Sequence, residues 1–129
     1  MKPFNVRTAK REELIDITRD VRGAIAKEGV ANGICIVFVP HTTAGVTINE
    51  NADPAVRTDI VKGLKIVPEG GYAHSEGNSP AHIKASIVGS SVSIIIKGGE
   101  PLLGTWQGIY FAEFDGPRHR SVWVKIVKD

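Results

Sequence analysis

The longest apolar run of the sequence, residues 34–40, most constrains what the chain can fold into. It is only about a third as long as the roughly 20 residues that a membrane-spanning helix needs. Its β-branched residues, with glycine before them and proline at their end, predict a buried strand over residues 33–39. Cys35 lies inside this strand with no charged neighbour to activate its thiol, so we expect an inert buried side chain.

The composition indicates an ordinary globular protein. The 129 residues are 42% hydrophobic and 23% charged, which predicts a single domain over residues 1–129 and excludes a disordered or membrane-spanning chain. Residues 1–5 lack the apolar segment of a secretory signal, so a cytoplasmic location is expected. The net charge of +2 comes without a basic stripe, which makes nucleic acid an unlikely partner.

Hydrophobic periodicity predicts the first half of the fold. Alternation predicts a strand over residues 3–8, and a helical stripe predicts a helix over 9–28 that ends at Gly29. A further strand containing Val46 and Ile48 follows the turn at 40–43. Asp53 and Pro54 are a typical helix start, and the buried face of that helix is expected to carry Val56, Ile60, Val61 and Leu64.

The second half begins with a glycine-rich loop over residues 68–79, and loops of this length are often functional. Ser79 and Pro80 are expected to start a helix over 80–88, followed by strands over 91–97, 105–113 and 120–127. The predicted fold is therefore α+β: a single domain with a mainly antiparallel sheet and about three helices packed on one face.

Three histidines in separate polar segments predict a metal site. His41 follows a buried strand, His74 lies in the glycine-rich loop, and His82 lies in the first turn of a helix, where the helix dipole favours a neutral ring. Three such ligands with an open position resemble a zinc site. The alternatives are a solvated turn histidine at 41 and a polar surface loop around 74. Three carboxylates are candidates for a general base or for orienting the ligands: Glu50, Glu76 and Glu113.

The C-terminal segment offers a second candidate site. Arg118 and Arg120 are two residues apart, and paired guanidinium groups commonly hold phosphate or carboxylate. The alternative is that they form ion pairs with Glu113 or Asp115. Trp106 is placed either to stack on a planar ligand or, as is more common at a strand start, in the core.

Four segments, residues 41–54, 81–86, 104–109 and 113–120, resemble the YjbQ-like family over nearly the whole chain. The resemblance implies a small α+β protein that assembles as a homotrimer and has a polar, histidine-containing site that binds a metal. It assigns the metal to His41, His74 and His82. Substrate or anion binding is expected from the matching polar and aromatic positions: Thr42, Asn49, Asn78, Lys84, Ser86, Trp106, Gln107, Arg118 and Arg120.

Some members of the family carry the label of a secondary thiamine-phosphate synthase. That reaction joins a pyrimidine-methyl pyrophosphate to a thiazole phosphate and uses magnesium, whereas three histidines suit zinc or another transition metal better. We therefore expect thiamine-phosphate synthesis to be a side activity of a metal-dependent enzyme that acts on a small phosphorylated or anionic molecule. The alternative is a non-catalytic, trimeric module that binds a metal or an anion.

Overall fold

The computed structural model describes residues 2–129, in which eight strands and three α-helices follow one another. In chain order these are β1 (Phe4–Arg7), β2 (Glu13–Asp16), α1 (Thr18–Glu28), β3 (Asn32–Phe38), β4 (Ala44–Glu50), α2 (Pro54–Gly63), α3 (Ser79–Val88), β5 (Ser91–Lys97), β6 (Glu100–Pro101), β7 (Gln107–Glu113) and β8 (His119–Lys128). A 3₁₀ turn, Leu64–Ile66, extends α2. The α+β class, the antiparallel pairing and the three helices confirm the predicted fold class.

The strands divide into two sheets. Five strands form one sheet in the order β1-β8-β3-β5-β6, and three form the other in the order β2-β7-β4. All neighbours are antiparallel. The predicted single sheet is therefore replaced by two, because the alternation of apolar residues identifies strands and does not say which of them pair.

Two apolar cores hold these layers together. The larger core contains Val21 and Ile25 of helix α1 and Ile17 just before it, which pack with the inward-facing residues of both sheets. A smaller core forms where α2 and α3 cover the second face of the three-stranded sheet, around Tyr110 and Phe114. Both faces of the three-stranded sheet are therefore covered by apolar residues. The polar segments that follow β4 and β7 lie at the ends of the sheet.

The predicted helix over residues 9–28 is wrong in its first half. The structure places strand β2 at 13–16 and begins α1 at Thr18, although Gly29 ends the helix in the left-handed conformation (φ 66°), as predicted. The Glu13 carboxylate accepts the N–H groups of Ala9 and Lys10 and so holds a turn before β2. Pairing of β2 with β7 then outweighs the helical pattern.

The other helix starts agree with the sequence to within one residue. Asp53 caps α2 by accepting the N–H of Ala55 at 2.9 Å, as predicted. The expected apolar face of α2 is only partly buried, because this helix lies at the rim of the smaller core. The cap of α3 is Asn78 and not Ser79, which is already helical.

The outer face of the five-stranded sheet is uncovered in the single chain. Register brings together side chains that point away from the core: Ile34, Ile36, Phe38, Ile95, Trp123 and Val127. Phe38 is 43% exposed and Ile95 is 58% exposed. The apolar run on β3 is therefore buried on its inner side only, which corrects the expectation of a fully buried strand. None of the helices within residues 2–129 is long and apolar enough to cross a membrane.

Candidate functional site

A polar cleft of about 420 Å³ opens at the end of the three-stranded sheet where β4 begins and β7 ends. We call it the histidine cleft. Its lining comes from the turn after β3, the glycine-rich loop, the start of α3 and the turn before β8, and consists of Pro40, His41, Thr42, Thr43, His74, Glu76, Asn78, His82, Asp115, Arg118 and Arg120. Eight of the residues named as site candidates from the sequence therefore meet here: His41, Thr42, His74, Glu76, Asn78, His82, Arg118 and Arg120.

His41 is fixed in the cleft as a neutral hydrogen-bond donor. Its Nε2 accepts the backbone N–H of Ser121 at 3.0 Å, so the neutral ring carries its proton on Nδ1. Burial lowers the pKa of His41, and the nearby charge of Arg120 lowers it further. Strand β8 thus holds His41, which is only partly exposed, so it is not the solvated turn histidine of the alternative. Its role as a metal ligand stays a prediction.

His74 and His82 pack against each other across the cleft. Their rings meet edge to face with centroids 5.5 Å apart. Oε1 of Glu76 lies 4.0 Å from Nε2 of His74, which places a proton acceptor beside the pair. Residues 74, 76 and 78 all line the cleft, and a turn between His74 and Gly77, not an extended segment, brings them there.

A buried ion pair supports the floor of the cleft. Glu113 is fully buried and Arg120 is 6% exposed. The Nε and Nη2 atoms of Arg120 both donate to the Glu113 carboxylate. Thr8 and the N–H groups of Phe114 and Asp115 complete the shell of donors around Glu113. Burial by itself raises the pKa of Glu113. The hydrogen bonds from Arg120, from the N–H of Asp115 and from Thr8 outweigh burial, so the pKa is lowered.

Glu113 does not line the cleft, and every donor around it already forms a hydrogen bond with its carboxylate. A role as general base stays a prediction, and the contacts give Glu113 a positioning role through Arg120. Arg120 in turn donates to the Thr43 hydroxyl at 2.9 Å, while its Nη1 group has no hydrogen-bond partner among residues 2–129. The ion pairs that were the alternative are therefore present: Arg120 pairs with Glu113, and Arg118, which precedes β8, pairs with Asp115. Anion binding by the two arginines stays a prediction.

Arg118 is held at the cleft wall by the turn before β8. Its Nε donates to the carbonyl of Asp115 at 2.7 Å and its Nη2 to the Asp115 carboxylate at 3.0 Å, which leaves Nη1 without a partner among residues 2–129. Asn78 donates to the same carboxylate at 3.0 Å, and its own Oδ1 is buried without a partner in the described part of the chain. Burial raises the pKa of Asp115, but the bonds from Asn78 and Arg118 outweigh it and the pKa is lowered.

Five predicted site residues lie elsewhere in the single chain. Lys84 points away from the cleft, 2% exposed, with Nζ 2.7 Å from the Glu12 carboxylate. The remaining four lie at the opposite end of the β4–β7 pair: Asn49, Glu50, Trp106 and Gln107. The length of β4 places that end about 20 Å from the histidine cleft. Ser86, the last candidate, lines a cavity next to the cleft.

Two further expectations concern aromatic and sulfur side chains. Trp106 is 63% exposed, so the alternative of a place in the core is wrong and its ring is open to solvent. Cys35 is fully buried, and burial raises the pKa of its thiol to about 11, in agreement with the inert role expected.

The histidines do not form a ready metal site in this arrangement. Within the described residues, no three His, Cys, Asp or Glu side chains are close enough together to hold a metal ion. A neutral imidazole has one free lone pair, and the Ser121 N–H already occupies that of His41. As arranged, these side chains therefore do not fit a three-histidine metal centre.

Several residues that shape the cleft were not identified as site residues from the sequence. Asp115 positions both Arg118 and Asn78, and Ser121 orients His41. The only local signal for Asp115 was its place in the turn three residues before Arg118. The contact between Ser121 and His41 joins residues 80 positions apart and leaves no local signal.

Comparison with known proteins gives matches over nearly the whole chain. A family model described as UPF0047 protein YjbQ-like matches residues 2–129. The UPF0047 protein MJ1081 of Methanocaldococcus jannaschii is 58% identical over 98% of this chain and 93% of its own length. The UPF0047 protein YugU of Bacillus subtilis is 46% identical over 98% of both chains.

Solved structures agree with these sequence relatives. The crystal structure of an uncharacterised YjbQ/UPF0047 protein from Clostridium acetobutylicum is 56% identical, covers 98% of this chain and 100% of that one, and has a TM-score of 0.96. A YbjQ-like protein of unknown function from Sulfolobus solfataricus is 34% identical, with a TM-score of 0.92 and coverage of 99% and 96%.

Proposed function

This chain belongs to the YjbQ-like UPF0047 family, and we propose that it is an enzyme that binds a small phosphorylated or otherwise anionic molecule in the histidine cleft. The observation that carries the proposal is the state of Arg118, whose Nη1 group is free while Asp115 holds the rest of the guanidinium in place. A guanidinium that is held in place but still has a free N–H group is a good partner for phosphate or carboxylate oxygens.

Other side chains of the cleft complement this anion site. The Nδ1–H of His41 and the Thr42 hydroxyl are further donors, on residues that also line the cleft. The His74–Glu76 pair supplies a proton acceptor beside them. Donors that hold an anion next to a general base are the arrangement needed for acid–base catalysis on a phosphorylated molecule. The cleft volume lies within the usual range of small-molecule sites.

Replacing Arg118 by alanine is expected to weaken the binding of inorganic phosphate by about tenfold or more, because a hydrogen-bonded charge pair is lost. Isothermal titration calorimetry at neutral pH measures this affinity. The matched control is Arg22→Ala, since Arg22 is similarly exposed and also paired with a carboxylate, that of Glu100 at 3.3 Å. Equal affinities of the two variants would remove Arg118 from the site.

The alternative is a non-catalytic module that holds an anion in the same cleft. A panel of phosphate esters distinguishes the two, because an enzyme turns over at least one of them and loses that turnover in Glu76→Gln while still binding phosphate. Thiamine-phosphate synthesis with magnesium, which the family resemblance implies, is proposed as a secondary activity and belongs in the same panel. A cytoplasmic location remains a prediction.

We propose a divalent transition metal, zinc in the first place, as a second occupant of the cleft. The support is that three histidines and the Glu76 carboxylate line one cleft, although the side chains must move closer together and His41 must release its bond from Ser121. Elemental analysis of protein purified without a histidine tag is expected to find about one metal ion per chain, and none in His82→Ala. Absence of metal from the wild type after soaking with zinc would exclude this ligand set.

We also propose that the chain assembles as a homotrimer through the outer face of its five-stranded sheet. The family resemblance implies the trimer, and the six apolar side chains on this face supply a surface for it. Contiguous exposed apolar surface of this kind is typical of interfaces between proteins. Small anionic ligands and further copies of the chain are thus the proposed partners.

A further inference from the structure

A second cavity adjoins the histidine cleft and differs from it in chemistry. It measures about 510 Å³ and shares His41, Thr42 and His82 with the cleft. Its other lining residues are small or carry hydroxyl groups: Ala44, Ala85, Ser86, Gly89 and Ser90. We call it the α3 trough, because it runs along one face of that helix.

Charged side chains line the histidine cleft but not the α3 trough. The cleft is lined by two arginines and by the carboxylates of Glu76 and Asp115, whereas no Lys, Arg, Asp or Glu side chain lines the trough. The two histidines at the boundary, His41 and His82, line both cavities. An anionic group is therefore favoured on one side and an uncharged group on the other.

The trough is open because small residues recur at helical spacing. Ala85 and Ser86 lie three and four residues after His82 on one face of α3, and Gly89 is the residue directly after the helix. Its walls are fixed by the backbone, since the carbonyl of Gly89 accepts the N–H of Val46 at 3.0 Å and that of Ser90 accepts the N–H of Val39 at 2.8 Å. Gly45 permits this approach, because a Cβ there would lie 2.4 Å from the Gly89 oxygen.

We propose that the ligand of the cleft is a phosphate monoester whose uncharged, hydroxyl-bearing organic part occupies the α3 trough. The proposal rests on the proposed function, since it takes the histidine cleft as the phosphate site. The trough is large enough for a sugar-sized group, and apart from the two shared histidines its polar side chains carry hydroxyl groups, which both donate and accept. A second charged group at the far end of the ligand would find no partner there.

Affinities for inorganic phosphate and ribose 5-phosphate, measured by titration calorimetry, test this assignment. The wild type is expected to bind ribose 5-phosphate at least about tenfold more tightly than phosphate. Ser86→Leu fills the trough and is expected to abolish that difference without changing the affinity for phosphate. Ser90→Leu, from the opposite side of the trough, is expected to do the same.

The matched control is Thr58→Leu on α2. Thr58 is exposed and donates to the carbonyl four residues earlier, that of Pro54, just as Ser86 donates to that of His82. The ester-to-phosphate ratio is expected to stay at its wild-type value in this control. A ratio near one in the wild type, or one that both leucine variants leave unchanged, overturns the trough assignment while phosphate binding stands. Failure of the wild type to bind phosphate at all overturns the proposed function together with it.

Discussion

Replacing Glu113 by glutamine is expected to lower the free energy of unfolding by about 3–5 kcal/mol, because it leaves the buried charge of Arg120 without its partner. The neutral amide also has no place for its NH₂ group. The N–H groups of Phe114, Asp115 and Arg120 all point at the Glu113 carboxylate, so one donor must face another. Denaturant unfolding followed by tryptophan fluorescence measures the loss.

Two controls separate this effect from a general sensitivity to lost charge. Glu100→Gln removes an exposed partner of Arg22 and is expected to cost less than about 1 kcal/mol. The double variant Glu113→Leu with Arg120→Met removes both buried charges and is expected to regain much of the stability lost in Glu113→Gln. A loss below about 1 kcal/mol in Glu113→Gln itself would mean that the pair does not hold the cleft floor.

The sequence predicted those parts of the fold that local chemistry determines. Asp53 followed by Pro54 is a start signal that needs no tertiary contact, and Gly29 ends α1 because it adopts the left-handed conformation easily. Alternation identified β1, and the continuous apolar run identified β3. Strand β2 was missed because Leu14 fits a helical stripe, and only pairing with β7 makes residues 13–16 extended.

The candidate site was predicted where one segment supplies its geometry. The loop residues 74, 76 and 78 meet in the cleft, but not through alternation along an extended segment: a turn at 75–76, in which the N–H of Gly77 donates to the carbonyl of His74 at 3.4 Å, brings them together. Lys84 shows the limit of this reasoning: it lies two residues after His82, and on a helix that spacing turns it to the other side and into a pair with Glu12. Glu50 and Trp106 are separated from the cleft by the length of β4, which no local pattern reports.

Replacing Phe38 by lysine is expected to convert the proposed homotrimer into single chains of 13.9 kDa. Phe38 lies opposite Trp123 on the outer face of the five-stranded sheet, so a charge there opposes burial of the whole apolar face against another copy. Because the side chain points away from the core, the variant is expected to keep its fold, which circular dichroism verifies. Size-exclusion chromatography with light scattering gives the mass.

The matched control is Ile66→Lys, because Ile66 is an apolar residue with 82% exposure that lies outside this face. Its mass is expected to equal that of the wild type, since one exposed apolar side chain away from the patch does not make an interface. A wild type that runs as a single chain contradicts the trimer itself. A trimer that survives in Phe38→Lys contradicts the assignment of this face and leaves the six apolar side chains to another partner.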